Sequence, residues 1–376
     1  MNYCKDKILI VGGYGAVGSV ISRELAKEFP GRIVVAGRDV SRAKAFILKE
    51  ELKASPTFID INSPSSNPIN FDEIQTIICC VEIPGNTSLL EKCLQEHINY
   101  IEIGTSYKNY ERFFPYKKQI KKAGITIIPS VGLLPGLSNV FAYDSLRFLH
   151  AITEVQVYLM LGLGEEHGLD AIRWMLTSFN RNFILQNQKD RTVKISFSEP
   201  HRIRLLHERK ARKFYRFDFS DQHTIPLTTN SKLAETRISF DSRMITNILY
   251  WLKKLGILSR ANHLNPRLIK RIMKLFKLGR KDFALQVNVK GETNQGSASE
   301  LTYLIYGMRE AYATGLVAAF AAKNMSLGKI PSELVPIEKA LPMPDLVKFL
   351  SSKGLNFRSG REDIFFDLTS VNGRKL

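Results

Sequence analysis

Gly12, Gly13, Gly15 and Gly18 follow directly on an apolar run, Ile8 to Val11. They precede residues with helical spacing, Val17, Val20, Ile21 and Leu25. Gly13, Gly15 and Gly18 satisfy G-x-G-x-x-G, and Gly12, Gly15 and Gly18 satisfy G-x-x-G-x-x-G. Placed between a strand and a helix, such glycines allow a sharp turn, close backbone approach to a pyrophosphate, and close packing of helix on strand. The free N–H groups of the helix start then face the anion. Gly12, Gly13, Tyr14, Gly15, Ala16, Val17 and Gly18 are therefore the expected contacts to a dinucleotide.

The next strand, Arg32-Ile-Val-Val-Ala-Gly-Arg38, ends where a residue contacting the adenosine ribose belongs, about 20 residues past the last glycine. An Asp or Glu there suits the 2′-hydroxyl of NAD. The residue here is Arg38, followed by Arg42 and Lys44. A guanidinium can hold a 2′-phosphate through two charge-assisted contacts, which favours NADP over NAD. Asp39 could accept from a 2′-hydroxyl or cap the helix that starts near Ser41. Lys44 reads as solvated, and Arg42 is left open.

Residues with acid, base or anchoring chemistry lie further on. His167, within Gly164-Glu-Glu-His-Gly168, sits in a loop before a helix and is a candidate acid or base. The plainer reading is a hydrogen-bonded loop histidine. Glu165, Glu166 and His167 lack a second histidine at ligand spacing, so no metal is expected. Asp241 and Arg243 are two apart, which on a strand puts both on one face. Arg243 could bind a substrate carboxylate or phosphate, and a structural ion pair is the alternative. Tyr3 with Lys7 and Tyr250 with Lys254 have Tyr-x-x-x-Lys spacing but stand outside the region where short-chain dehydrogenase chemistry would need them.

The elements that must position these residues alternate. Strands are expected at Ile8–Val11, Arg32–Arg38, Pro56–Ile61, Gln75–Val81, Tyr100–Ile103 and Ile125–Ile128, with helices between them. That rhythm indicates an α/β, Rossmann-type doubly wound parallel sheet. Ligands collect beyond the carboxyl ends of such strands, which adds Asp60, Val81 and Pro84 to the expected cofactor contacts. After about residue 145 the pattern changes. Glu154–Met160 alternates like a half-exposed strand, and Thr192–Phe197, Phe283–Lys290 and Glu300–Tyr306 lack the β-α-β rhythm. A second α+β domain with an open antiparallel sheet is expected over 146–308, after a dinucleotide-binding domain over 1–145. An Ala-rich helix, 309–324, is expected to pack back on the first domain. A helical tail with an irregular end fills 325–376.

The chain has 376 residues, enough for two domains, and is 44% hydrophobic, enough for sizeable cores. Its four cysteines show no metal spacing, and Cys79 with Cys80 suits a buried parallel strand in a reduced, cytoplasmic protein. The net charge of +18 is uneven. Residues 1–150 hold 18 Lys and Arg against 15 Asp and Glu, whereas 202–282 hold 20 against 6. Residues 244–281 read as two helices, the first with Ile245, Ile248, Leu249 and Leu252 on one side. The second, Leu268 to Lys281, is basic and amphipathic. An anionic membrane surface, a dimer interface, or a core-facing helix with a solvated basic side would each use it. No nucleic-acid module accompanies the charge, so no nucleic acid is expected.

The glycine turn, the Val-Ala-Gly-Arg38 strand end and Gly132-Leu-Leu-Pro135-Gly136-Leu-Ser-Asn139 resemble the saccharopine dehydrogenase (saccharopine reductase) superfamily. Tyr215-Arg-Phe-Asp218-Phe and Phe240-Asp241-Ser242-Arg243 extend the resemblance to uncharacterised bacterial saccharopine dehydrogenase-like proteins. It implies an NADP-binding Rossmann domain and hydride transfer to or from an imine, another C–N centre or a carbonyl. The implied substrate is a small molecule, amino-acid- or lipid-derived, and the implied assembly is a homodimer. The alternative is a dinucleotide-binding protein without turnover, peripheral to a membrane or bound to a partner.

Overall fold

The computed structural model describes residues 5–62, 68–82, 85–165, 169–186, 191–258, 265, 271, 279–361 and 364–367. The chain divides into two compact units. One comprises Met1–Leu137 and Ala311–Pro342, the other Ser138–Glu310 and Met343–Leu376.

The first unit holds a six-stranded sheet: β1 (Lys7–Val11), β2 (Ile33–Gly37), β3 (Ala54–Phe58), β4 (Ile74–Cys79), β5 (Asn99–Glu102) and β6 (Ile127–Ile128). All neighbours run parallel in the order β3-β2-β1-β4-β5-β6. The order reverses beside β1, where an open α/β sheet offers its crevice. Val11 lies opposite Ala36 on one side and Cys79 on the other, and Cys79 lies opposite Glu102, so the carboxyl ends of these strands form one edge. Ile8, Leu9, Ile10 and Val11 are buried on both sides, as a central parallel strand requires. Each such side chain contributes about 1.5–3 kcal/mol of hydrophobic stabilisation.

Helix α1 (Gly18–Glu28) follows β1 and buries Val20, Ile21 and Leu25. Helix α2 (Val40–Lys49) follows β2 and is capped by Asp39, whose carboxylate accepts from the Arg42 N–H at 3.0 Å. The later segment of the unit is bound tightly. In the helix Glu310–Ser326, a Cβ on Gly315 would stand 2.6 Å from the Cβ of Val20, so glycine sets that close approach to α1. Thr314 Oγ1 accepts from the Leu133 N–H at 3.1 Å, Thr126 Oγ1 donates to the Pro331 carbonyl at 3.0 Å, and Ile127 bridges to Leu334.

The second unit is built on an eight-stranded sheet and a two-stranded one. Its strands are β7 (Ala151–Leu161), β8 (Asn182–Gln186), β9 (Arg191–Ile195), β10 (His201–Ile203), β11 (Arg212–Arg216), β12 (Leu233–Phe240), β13 (Asp282–Glu292), β14 (Ala298–Met308), β15 (Asn356–Arg361) and β16 (Ile364–Asp367). The large sheet runs β10-β11-β12-β7-β13-β14-β15-β16, and β8 pairs with β9. Phe179, Phe197, Phe217 and Phe240 pack on one another with ring centroids 4.8–6.5 Å apart, beside β12.

Three expectations need correction. The large sheet is mixed, because β12 runs parallel to β7 while the other neighbours are antiparallel. The intervening chain, with its helices and β8–β11, crosses over and returns in the same direction. Secondly, among the described residues beyond the helix Met343–Ser352, β15 and β16 extend the sheet rather than forming an irregular end. Leu304 and Phe357 are buried on the paired strands β14 and β15, so apolar burial decides the outcome. Thirdly, Asp241 and Arg243 do not share a strand. β12 stops at Phe240, Ser242 caps the next helix by accepting from the Ile245 N–H, and Arg243 opens that helix, Arg243–Lys254. On this helix Ile245, Leu249 and Leu252 are half-buried, while Ile248 is 47% exposed. Of the second basic helix, only Arg271 and 279–281 are described.

Candidate dinucleotide site

The loop from β1 to α1 folds as a glycine turn for steric reasons. Gly12 has φ +76°, where a side chain is strained, and a Cβ there would come 3.0 Å from the Val81 side chain. A Cβ on Gly18 would lie 2.2 Å from the Gly12 carbonyl oxygen, which no other residue could occupy. The Gly15 N–H donates to that carbonyl at 2.9 Å, and the Gly12 N–H donates to the Ala36 carbonyl at 2.8 Å. Ser22 Oγ fixes the other wall, donating to the Gly13 carbonyl at 2.8 Å. Gly15 and Ala16 are exposed, and the amides of Ala16, Val17 and Gly18 find no backbone acceptor among the described residues. The first turn of α1 carries no acidic residue. Unspent N–H groups at a helix start, without a carboxylate beside them, suit a phosphate.

Tyr14 leaves the turn sideways and covers the end of β2. Its hydroxyl accepts from the Asp39 N–H at 3.2 Å, and a Cβ on Gly37 would stand only 2.4 Å from it. The Arg42 guanidinium lies over the Tyr14 ring, 5.1 Å from its centre. Asp39 is committed to capping α2. Arg38 is exposed and has no hydrogen bond or ion pair among the described residues. A positive, unpartnered side chain therefore stands beside a tyrosine–arginine platform at the strand end. Gly37 makes room for this platform, a role its place in the sequence did not reveal.

Of the remaining expected contacts, Val81 stands against Gly12, as above. Asp60 lies just past β3 and accepts from the Asn62 N–H at 3.0 Å. Pro84 lies outside the described residues. Along the same edge, Thr105 donates to Glu82 at 2.9 Å, joining the chain after β4 to the chain after β5. At the end of β5, Glu102 is 3% exposed, accepts from the Tyr100 hydroxyl at 2.8 Å, and is ion-paired with Arg112. Burial outweighs both partners and pushes its carboxyl up to about 7. Burial also drives the neighbouring Cys79 thiol up to about 12, so it stays protonated and unreactive. The backbone carbonyl of Glu102 accepts from the Val131 N–H at 2.8 Å, which ties the end of β5 to the chain after β6.

The residues expected to do acid–base or anchoring work in the second unit are not gathered together. His167 lies outside the described residues. The Asp241 carboxylate accepts from the Leu163 N–H at 3.2 Å and from the Arg280 N–H, tying three loops. Arg243 pairs with Glu208 at 3.1 Å and donates to the Lys210 carbonyl at 2.8 Å. Among the described residues no cluster of His, Cys, Asp and Glu could hold a metal ion.

Residues 8–128 match the family model described as the saccharopine dehydrogenase NADP binding domain. The first unit carries a saccharopine dehydrogenase-like NADP-binding Rossmann domain. The carboxynorspermidine synthase of Vibrio cholerae is 24% identical over 162 residues, which cover 36% of this chain and 39% of that protein. The same enzyme from Vibrio alginolyticus is 24% identical over 165 residues. The chain thus spans about two fifths of the length of these curated relatives. Apo saccharopine dehydrogenase (L-Glu forming) from Saccharomyces cerevisiae superposes with a TM-score of 0.67 at 13% identity, over 95% of this chain and 100% of that one. At that identity the likeness is one of fold. Within the saccharopine dehydrogenase-like domain, the matched segment contains the glycine turn, Arg38, Asp60 and Glu102.

Proposed function

We propose that the chain is an NADP-dependent oxidoreductase of the saccharopine dehydrogenase-like type, acting on a small molecule through hydride transfer to or from an imine, another C–N centre or a carbonyl. One observation carries the preference for NADP: Arg38 stands exposed at the end of β2, beside the turn, with no partner among the described residues. The residues fit the coenzyme. The amides of Ala16, Val17 and Gly18 would receive the pyrophosphate, and Arg38 the 2′-phosphate, with Arg42 on Tyr14 as the wall beside it. Val81, Asp60 and Pro84 belong to the same proposed contact set. Hydride chemistry is what the nicotinamide supplies when bound; the protein contributes binding and orientation. His167, Asp241 and Arg243 remain the proposed substrate-side residues, and the bonds of Asp241 and Arg243 point to support rather than proton transfer.

The test is a fluorescence titration of NADPH and NADH against the full chain and Arg38→Ala. NADPH should bind the full chain more tightly, and the substitution should weaken NADPH about 100-fold while leaving NADH nearly unchanged. Equal losses for both coenzymes would remove the NADP assignment, and binding of neither would remove the function.

A second reading has its own observation. On the helix Arg243–Lys254 and just after it, Met244, Ile248, Trp251 and Leu255 are 68%, 47%, 54% and 70% exposed. Their spacing puts them on one stripe, and Lys254 lies 4.9 Å over the Trp251 ring. Such a face with basic neighbours suits the surface of an anionic membrane, where the chain would act as a peripheral protein. No helix among the described residues is long and apolar enough to cross one. Flotation with anionic vesicles tests this reading, and a chain that stays with the soluble fraction defeats it.

A further inference from the structure

The second unit contains a cavity of about 280 Å³ against the outer strands of its large sheet. Four of the residues lining it are cations, Arg202, Arg212, Lys213 and Arg243, and none is acidic. Two of these cations are already committed. Arg212 is ion-paired with Glu208 and donates to the Phe240 carbonyl at 2.8 Å, while Arg243 bonds Glu208 and the Lys210 carbonyl. The other two are exposed and have no ion pair or hydrogen bond among the described residues.

Their placement is costly. Arg202 on β10 and Lys213 on β11 are direct partners across an antiparallel ladder. Like charges directly opposite each other on one face repel. Among the described residues nothing acidic lines the cavity to offset them. Asn247, from the helix Arg243–Lys254, adds a side-chain amide, of which only the oxygen is engaged among the described residues, by Tyr215 at 3.5 Å. Donors therefore converge from two strands and a helix, and a negative ligand would remove the repulsion.

We propose that this cavity is a binding site for a phosphomonoester, held by Arg202 and Lys213 with Arg243 and Asn247 at its side. A tetrahedral dianion can take bonds from several directions at once, whereas one planar carboxylate is served by a single guanidinium fork. The volume leaves room for the organic group that carries the phosphate. The site lies wholly in the second unit and is independent of the glycine turn.

The experiment is calorimetric titration of glycerol 3-phosphate into the full chain, into Arg202→Gln/Lys213→Gln, and into Arg38→Ala. The double variant should bind about 100-fold more weakly, roughly tenfold for each charge-assisted contact removed. Arg38→Ala should bind as the full chain does. Thermal unfolding in phosphate-free buffer checks the fold, because relief of the repulsion should leave the double variant at least as stable as the parent. Flotation with phosphatidate vesicles separates the two sources of the ester. Binding to vesicles but not to the soluble ester, lost in the double variant, assigns a lipid headgroup. Binding that survives in the double variant, or no binding in either arm, overturns the proposal.

Discussion

The end of β2 and the end of β12 carry similar side chains and use them differently. Arg38 is exposed with nothing to bond among the described residues. After β12, Asp241 holds the amides of Leu163 and Arg280, and Arg243 holds Glu208 and the Lys210 carbonyl. Charged residue types at suggestive spacing are thus poor guides on their own. What separates a binding group from a structural one is bonding capacity left over once the fold is satisfied. Arg202 and Lys213 fall on the same side of that line as Arg38.

The hardest blow to this contrast comes from Gly18→Val. A Cβ there meets the Gly12 carbonyl oxygen at 2.2 Å, so the turn must open. Coenzyme binding should be lost, and stability should fall by about 3 kcal/mol, measured by NADPH titration and denaturant unfolding. Normal coenzyme binding in this variant would show that the turn does not hold the pyrophosphate.

A smaller effect separates the two arginines. Against the hundredfold loss of NADPH affinity expected for Arg38→Ala, Arg243→Ala should leave NADPH binding unchanged. It should cost at most about 1 kcal/mol of stability, since its ion pair with Glu208 is partly exposed. If Arg243→Ala weakens the coenzyme as much as Arg38→Ala does, leftover bonding capacity is the wrong criterion.

The smallest effect concerns pH. Burial raises the Glu102 carboxyl from its ordinary 4.5 to about 7, so between those values the folded chain keeps a proton that the unfolded chain has released. Stability is therefore fully present below about pH 4.5 and declines as pH rises through 7. Asp221, raised by burial to about 6, acts in the same direction. Unfolding followed from pH 5 to 8 should show declining stability, part of which Glu102→Gln flattens. An unchanged slope in Glu102→Gln would mean that this carboxyl is ionised throughout.

The parallel sheet was legible because its strands are unbroken apolar runs between glycine or polar turns, Ile8–Val11 being the clearest. The turn itself was legible because Gly12, at a positive φ, and Gly18, against the Gly12 carbonyl, stand where a side chain is strained or blocked. The mixed sheet was not, since local alternation in Glu154–Met160 carries no information about strand direction: β7 finds its parallel partner β12 through a long crossover. The strand Asn356–Arg361 is charged and weakly patterned, and it is set in place by pairing with β14. Asp241 and Arg243 misled for a local reason. Ser242 between them is a helix cap, which ends the period-two pattern at Phe240. The cation pair Arg202 and Lys213 left no trace, because the two residues come together only through the register of β10 on β11.

The first unit is discontinuous in sequence. Its edge strand β6 meets Leu334, its amide at Leu133 needs Thr314, and α1 is packed by Gly315. On a ribosome, more than 170 residues of the second unit emerge between the two portions of the first. The nucleotide-binding unit is therefore the first to begin and cannot be the first to finish. A nascent chain stalled before residue 311 exposes the surfaces that the returning helix covers, and a gene fragment ending there lacks a complete nucleotide-binding unit.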